Sequence, residues 1–471
     1  MPGFFLPQET GYLLNKGVIM DMKYFDESKY VIKLYPHFDK KINFSQAKSY
    51  VTDSNRISQH SFFPLIHYQK KLSKYSDGYI DERGFSDIHR QHIKPKYRNI
   101  MYASHIDSYI YKYYGDSLNE KYNQYAKDHG IDVCSVAYRN NKKGQCNIQF
   151  ACEVFEFIYE QESCYIRVGD FEKFFDRLDH VYLKMMVEKL LNVKALPLDW
   201  YKVFKSVTKY AYVEKDDIVS FYDRRNERYF SNTRQFRQFR KQHPEAFKRN
   251  HKDYGIPQGT AISGVLANVY MMEVDQAICE LVSQYGGIYR RYSDDTIIIV
   301  PKERISASEW KNLECKIKEI ISTANVTEQE EKTHKLIYQD KQIIGEERDR
   351  NVKNLDYLGF TFNGENVLIR QKCIYKFERK ASEAFFHALT VKKQQNLKYL
   401  PYKSMLLRYC LKKPYKMRKG KRKRQSNFLS YVRRTETVYG RSELQCVPQQ
   451  QIYHLQRKIK QKYERINGKY K

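Results

Sequence analysis

Hydrophobic patterning changes character several times along the chain. Ile297-Ile298-Ile299-Val300 is an unbroken β-branched run and predicts a buried strand. Tyr165 to Asp170 alternates apolar with other residues and predicts a second strand, ending at an acid. Beyond it, Leu183, Met186 and Leu190 recur at helical spacing. Tyr254 to Gly259 is a Gly/Pro turn, and Ile262, Val265, Leu266 and Val269 then form one apolar helix face. Small residues on that helix (Ala261, Ser263, Gly264, Ala267) let another backbone come close. The tyrosine-rich stretch from Tyr97 to Tyr125 has helical spacing at Ile106, Tyr109, Ile110, Tyr113 and Tyr114. Strands and helices thus mix, as in an α+β protein.

Chemistry gathers at the ends of the two strands. Asp294 and Asp295 precede the β-branched run in Arg290-Arg291-Tyr292-Ser293-Asp294-Asp295. Two like charges entering a buried strand are costly unless a cation neutralises them. Paired divalent metals about 3.5–4 Å apart serve phosphoryl transfer in this way. Asp170 is a third carboxylate at a strand end, and across a sheet the three acids would offer oxygen ligands to two Mg²⁺ ions. Blander readings also fit each piece: a turn for Asp294-Asp295, a helix N-cap for Asp170, ordinary helix packing after Gly259. That last reading does not account for Gln258 between Pro257 and Gly259.

Taken together, the segments resemble a reverse transcriptase. Such enzymes carry, in this order, an acid followed by a Phe-Phe-Asp type segment, a Pro-Gln-Gly helix start and an aromatic-x-Asp-Asp hairpin. The counterparts here are Asp170 to Asp176, Pro257-Gln258-Gly259 and Tyr292 to Asp295. Glu331-Lys332-Thr333 resembles the family's lysine-bearing segment, and Leu355 to Phe360, with Gly359, its primer-grip hairpin. Order, spacing and flanks agree from about residue 135 to 380.

The resemblance implies a right-hand polymerase fold. Residues 1–164 would be an N-terminal region and fingers, and 165–364 a palm with a polar, basic insertion at about 194–250. Residues 365–471 would form a helical thumb with a basic extension. It further implies that Asp170, Asp294, Asp295 and the Phe171 carbonyl hold two Mg²⁺, with Mn²⁺ as the alternative ion, and that deoxynucleoside triphosphates are the substrates. Lys332 corresponds to the proton donor to pyrophosphate, or is a solvated lysine. Phe175 corresponds to the aromatic gate that excludes a 2′-hydroxyl. Gln258 would lie near the templating base or incoming nucleotide, and Tyr292 would brace the primer end. Arg139 and Lys142 are candidate triphosphate contacts, with solvated loop charges as the other reading.

Composition adds the partner. Net charge is +29 over 471 residues. Residues 365–471 hold 29 Lys or Arg, 6 Glu and no Asp, so most of the excess lies there. Lys421-Arg422-Lys423-Arg424 is its densest run, with Tyr399, Tyr402, Tyr409, Tyr415, Phe428 and Tyr431 interleaved nearby. Cations bind phosphate and aromatics stack on unpaired bases, so this end reads as a nucleic-acid surface; a solvated tail is the other reading. Lack of Asp after Asp356 argues against an acid-rich RNase H domain. No apolar run approaches 18 residues and the N-terminus lacks signal-peptide character, so no membrane is expected. Nine cysteines without CxxC spacing point to a reducing cytoplasm.

Among reverse transcriptases the chain is most similar to defence-associated and abortive-infection enzymes of bacteria. The signals are Tyr138-Arg139 and Ile369-Arg370-Gln371-Lys372. That similarity implies a structured non-coding RNA partner, a cDNA product, antiphage defence and a homo-oligomer. A retron-type enzyme making RNA-linked DNA, and a non-catalytic RNA-binding scaffold, are the alternatives.

Overall fold

A computed structural model describes residues 26–72, 96–410, 415–418, 421–424, 426–446 and 448–466. Its centre is a five-stranded antiparallel sheet. The strand order is Gln342–Gly345, His334–Gln339, Ser163–Asp170, Asp295–Pro301 and Ile288–Tyr292. The β-branched run lies in the interior of this sheet and is buried on both faces. Ile297 and Ile299 join one core, while Ile298 and Val300 join the other. That division explains why the sequence there is continuously apolar and not alternating.

Helices cover both faces. One face receives His105–Asp128, His180–Leu191, Ser263–Tyr270, Met272–Ser283 and Ala307–Ser322. The other receives Asn147–Tyr159 and a C-terminal helical body of Gln371–Gln394, Lys403–Cys410, Phe428–Tyr439 and Pro448–Ile466. The helices after Asp170 and after Gly259 form where the spacing places them, and Ile262, Val265, Leu266 and Val269 are all buried. The tyrosine-rich stretch departs from its helical expectation. Lys96–Tyr102 is a strand, and the helix begins only at His105, where the Ser104 hydroxyl caps the Asp107 N–H at 3.1 Å.

The segment at 194–250 is built into the molecule at both ends. Its helix Leu198–Thr208 sinks Trp200, Val203 and Val207 into the main core. Its strands Ala211–Glu214 and Lys248–Arg249 complete a four-stranded sheet with Leu65–Leu72 and Lys96–Tyr102. A separate aromatic core, including Phe38, Tyr229, Phe230, Phe236 and Phe239, fills that sheet's face. The C-terminal segment also turns back: Gln445–Cys446 pairs in parallel with Asn366–Val367 in the sheet that begins at Leu355. The Gln451 side chain locks the return by bonding both the N–H and the carbonyl of Ile369, at 3.0 and 2.8 Å. Among the described residues, no helix is long and apolar enough to cross a membrane.

Candidate active site

Asp170 and Asp295 stand directly opposite one another on adjacent antiparallel strands. Backbones of such pairs are about 4.5–5.5 Å apart. The alternation that sends Ile166, Ile297 and Ile299 into one core puts both acids at the end of the same stripe. Asp294 occupies the two-residue turn between Tyr292 and Asp295, whose first residue, Ser293, has φ 65°. The Asp294 carbonyl accepts the Phe171 N–H at 3.2 Å, tying the turn to the residue after Asp170.

Protein surrounds much of Asp295, although the residue opens onto the cleft. That loss of water, with the charges of Asp294 and Asp170 beside it, raises the Asp295 carboxyl from 3.8 to about 6. Three acids at one end of a sheet, one already reluctant to ionise, make a donor set suited to a hard divalent cation. Among the described residues, no group of three acids, histidines or cysteines closes into a ready-made ligand cage. Asp170 instead accepts the ammonium of Lys332, whose side chain is half-exposed. The Asp170 carbonyl takes the Gln329 N–H at 2.7 Å, which brings the lysine-bearing turn to the acid.

The ring of Phe174 is in the core, whereas Phe175 is half-buried at its edge. Gln258 lies close by. Its amide nitrogen is 3.4 Å from Asp176, and its carbonyl accepts the Met101 N–H at 2.8 Å. A Cβ on Gly259 would lie 2.4 Å from the Met101 carbonyl oxygen, and its φ of 123° suits glycine. Loss of water raises the Asp176 carboxyl, with Gln258 acting in the opposite sense. Tyr292 is half-buried, its ring 6.3 Å from that of Phe150.

The turn at Leu358-Gly359 has φ of 46° and 91° and joins Leu355–Tyr357 to Phe360–Phe362. Asn147 grips it, donating to the Leu358 carbonyl at 2.9 Å and lying 2.9 Å from the Tyr431 hydroxyl. Lys421–Arg424 forms one strand of a two-stranded hairpin with Tyr415–Arg418; the side chains there lie outside the described residues.

Arg139, the candidate triphosphate contact, is engaged within the protein. Its side chain is 0% exposed, bonded to Asp132, Asn123 and the Ser135 carbonyl, and placed over the Tyr122 ring. Lys142 is bound to the same Asp132 at 2.6 Å. A bare count of cations in the segment cannot see this, because Asp132 supplies the local counter-charge for both.

Two further features are made by contacts between distant segments. Tyr138, half-exposed and with φ 58°, lays its ring on Gly264 and reaches Ser293 with its hydroxyl at 3.2 Å. Its ring is 6.3 Å from that of Phe175. Arg291 beneath the turn is 0% exposed and pairs through two nitrogens with Asp275, at 2.8 and 2.6 Å. It also donates to the Ser293 carbonyl at 3.0 Å. The small residue at Gly264 was the only hint of the first feature; nothing local marks Asp275 as the partner of Arg291.

The reverse transcriptase (RNA-dependent DNA polymerase) family model matches residues 94–362, more than half of the chain. No curated protein matches it in sequence. Among solved structures it is similar to apo telomerase from Candida tropicalis truncated from the C-terminal domain. Identity there is 14% and the TM-score 0.38, covering 71% of this chain and 62% of that one. Telomerase from Candida albicans in complex with a fragment of telomeric RNA aligns at 10% identity and TM-score 0.39, covering 90% of this chain and 63% of that one. The chain therefore spans less than two thirds of the length of these telomerases. By the match of that family model over residues 94–362, more than half of its length, the chain belongs to the reverse transcriptase family.

Proposed function

We propose that this chain is an RNA-directed DNA polymerase that copies a structured partner RNA into cDNA. The single observation carrying the reading is the in-register pair Asp170 and Asp295, with Asp294 in the adjoining turn. Asp170, Asp294, Asp295 and the Phe171 carbonyl would hold two Mg²⁺, or Mn²⁺ in their place. When bound, such ions activate a primer hydroxyl and stabilise the leaving pyrophosphate.

The remaining work falls to side chains of this chain. Asp170, Asp294 and Asp295 supply the concentrated negative charge that would hold the cations at the end of the sheet. Lys332 is near enough to Asp170 to reach a nucleotide's phosphates and deliver a proton to the departing oxygen. Phe175 and Tyr138 form an apolar floor that leaves no room for a ribose 2′-hydroxyl. Gln258 lines the cleft beside Asp176 and orients the nucleotide or its templating base. Tyr292 and the Gly359 turn hold the primer strand. Arg139 and Lys142 act through Asp132 as braces of their loop.

In this reading residues 1–164 contribute fingers, 165–364 the palm and 365–471 the thumb, with segment 194–250 added to the fingers side. Lys421 to Arg424 contact nucleic-acid phosphates. The partner is a non-coding RNA, the setting is antiphage defence in a bacterial cytoplasm, and the enzyme works as a homo-oligomer. Tyr138-Arg139 and Ile369-Arg370-Gln371-Lys372 support that narrower assignment.

Purified protein with dNTPs and Mg²⁺ is expected to incorporate labelled deoxynucleotide on a primed RNA template. An Asp294→Asn/Asp295→Asn variant is expected to show none. Equal incorporation by both proteins would refute the assignment of the acids.

A further inference from the structure

The aromatic-cored module beside the active site exposes a basic surface that the polymerase chemistry does not use. Between residues 222 and 249 there are nine Lys or Arg and three acids. All three acids are engaged. Glu227 pairs with Lys41 at 2.6 Å, and Glu245 contacts His243 at 3.2 Å. Asp223 accepts bonds from the Arg225 and Asn226 N–H groups, the Asn226 amide and the Ser231 hydroxyl. These bonds hold its carboxyl well below the usual carboxylate range, chiefly through Asn226 and Ser231. They also fix the turn that presents Arg224 and Arg225, both exposed.

The second cationic element is the helix Thr233–Gln242. Its Asn232 cap accepts the Gln235 N–H at 2.9 Å. Phe236 and Phe239 are buried against Phe38, Tyr229 and Phe230. The opposite side carries Arg234, Arg237 and Lys241, all exposed. Their i, i+3, i+7 spacing aligns three cations over about 10 Å of helix axis. The helix exposes no aromatic ring, since both of its rings face inward. Single strands are generally held by stacking on exposed rings, whereas duplexes are held by cations on phosphates.

The module is also joined to the site. Asn250, the residue after its last strand, donates to the carbonyls of Thr208, Tyr254 and Gly255. On the edge strand of its sheet, the Met101 N–H donates to the Gln258 carbonyl. Whatever docks on the module is therefore held in fixed relation to the loop that carries Gln258.

We infer that the surface formed by Arg224, Arg225, Arg234, Arg237 and Lys241 is a docking site for the phosphate backbone of double-helical RNA. It would grip a stem of the partner RNA while a single-stranded part occupies the cleft. The inference rests on the proposed RNA partnership and specifies which part of that RNA is held, and where.

The test uses the full chain and two probes, a 20-base-pair RNA stem and an oligo(rU) of equal nucleotide count. Binding is measured from 50 to 300 mM salt. Dissociation constants of Arg234→Glu/Arg237→Glu/Lys241→Glu are compared with wild type, after circular dichroism has established that the variant is folded. Arg224→Gln/Arg225→Gln, on the separate turn, is the second variant. Expected for the stem is a loss of at least tenfold in the triple variant at 100 mM salt. Its plot of log K against log salt should be shallower by about 2–3. Binding of oligo(rU) should change less than threefold, and incorporation on a short primed template should persist. Unchanged stem affinity and salt slope in both variants would overturn the inference. So would equal losses for stem and oligo(rU), which would make the surface a single-strand track. Absence of incorporation by wild type would count against the polymerase reading alone, because stem binding is read independently of it.

Discussion

Arg291 and Asp275 form an ion pair with both side chains at 0% exposure, directly behind the turn that carries Ser293 and Asp294. The guanidinium bonds both oxygens of Asp275, the Ser135 hydroxyl and the Ser293 carbonyl. Tyr289 adds a bond to Asp275 at 2.9 Å. The strained Ser293 backbone is thus anchored to the helix Met272–Ser283 and to the loop near Cys134, whose carbonyl accepts the Arg291 N–H at 2.7 Å.

Removing one partner leaves an uncompensated buried charge. Arg291→Ala is expected to lower unfolding free energy by about 3–5 kcal/mol in urea titration. Arg291→Lys keeps the charge but not the fork, so it should recover part of that stability while polymerisation stays low. Full activity in the lysine variant would mean that the guanidinium geometry does not position the turn.

Gly264 bears on Tyr138 in a way that separates activity from stability. A Cβ there would lie 2.7 Å from Tyr138 Cγ and 3.2 Å from its Cβ, so the ring must shift. Alanine improves helix propensity by about 1 kcal/mol, which offsets part of the crowding. Gly264→Ala is therefore expected to change thermal stability little while raising the KM for dNTP several-fold. Steady-state kinetics beside a melting curve checks both halves.

Sugar selection is the simplest reading of the half-buried Phe175. Phe175→Ala should admit ribonucleotides, with discrimination between dNTP and rNTP falling by about tenfold or more, or about 1.4 kcal/mol. Primer extension with each nucleotide class measures it. Unchanged discrimination would reassign Phe175 to packing and leave the gate to Tyr138.

Asp295 gives the pH dependence. Its folded-state pKa of about 6 exceeds the ordinary 3.8, so between those values the folded protein binds the extra proton more tightly. The contribution of this group to stability in metal-free buffer should therefore decline as pH rises from about 4 to about 6. Mg²⁺ binding at the proposed site would run the other way, since it needs the carboxylate: affinity should weaken below about pH 6, by up to about tenfold per unit. Calorimetric Mg²⁺ titrations at pH 5, 6 and 7 would show the trend, and Asp295→Asn should flatten both profiles.

Local periodicity was sufficient for much of the framework. Ile297 to Val300 had to be a buried strand, and Asp170 and Asp295 had to lie at strand ends. The motif order then indicated which acids would meet, because register follows once two strands with a common buried stripe pair. The helices around Leu183 and Val265 were equally readable from their spacing.

Long-range partners were beyond that reach. No local pattern tells that Asp132 neutralises Arg139 and Lys142, that Lys332 lands on Asp170, or that Asp275 lies 16 residues before its Arg291 partner on another element. Nor does it show that strand Ala211–Glu214 pairs with Leu65–Leu72, or that Gln445–Cys446 returns to the sheet after the basic hairpin. Sequence determined which residues are apolar, acidic or basic and how they repeat, and hence the elements and the kind of chemistry. Tertiary structure decided which charges are satisfied within the protein and which remain for a ligand, because a buried charge chooses its partner by proximity in space, not by distance along the chain.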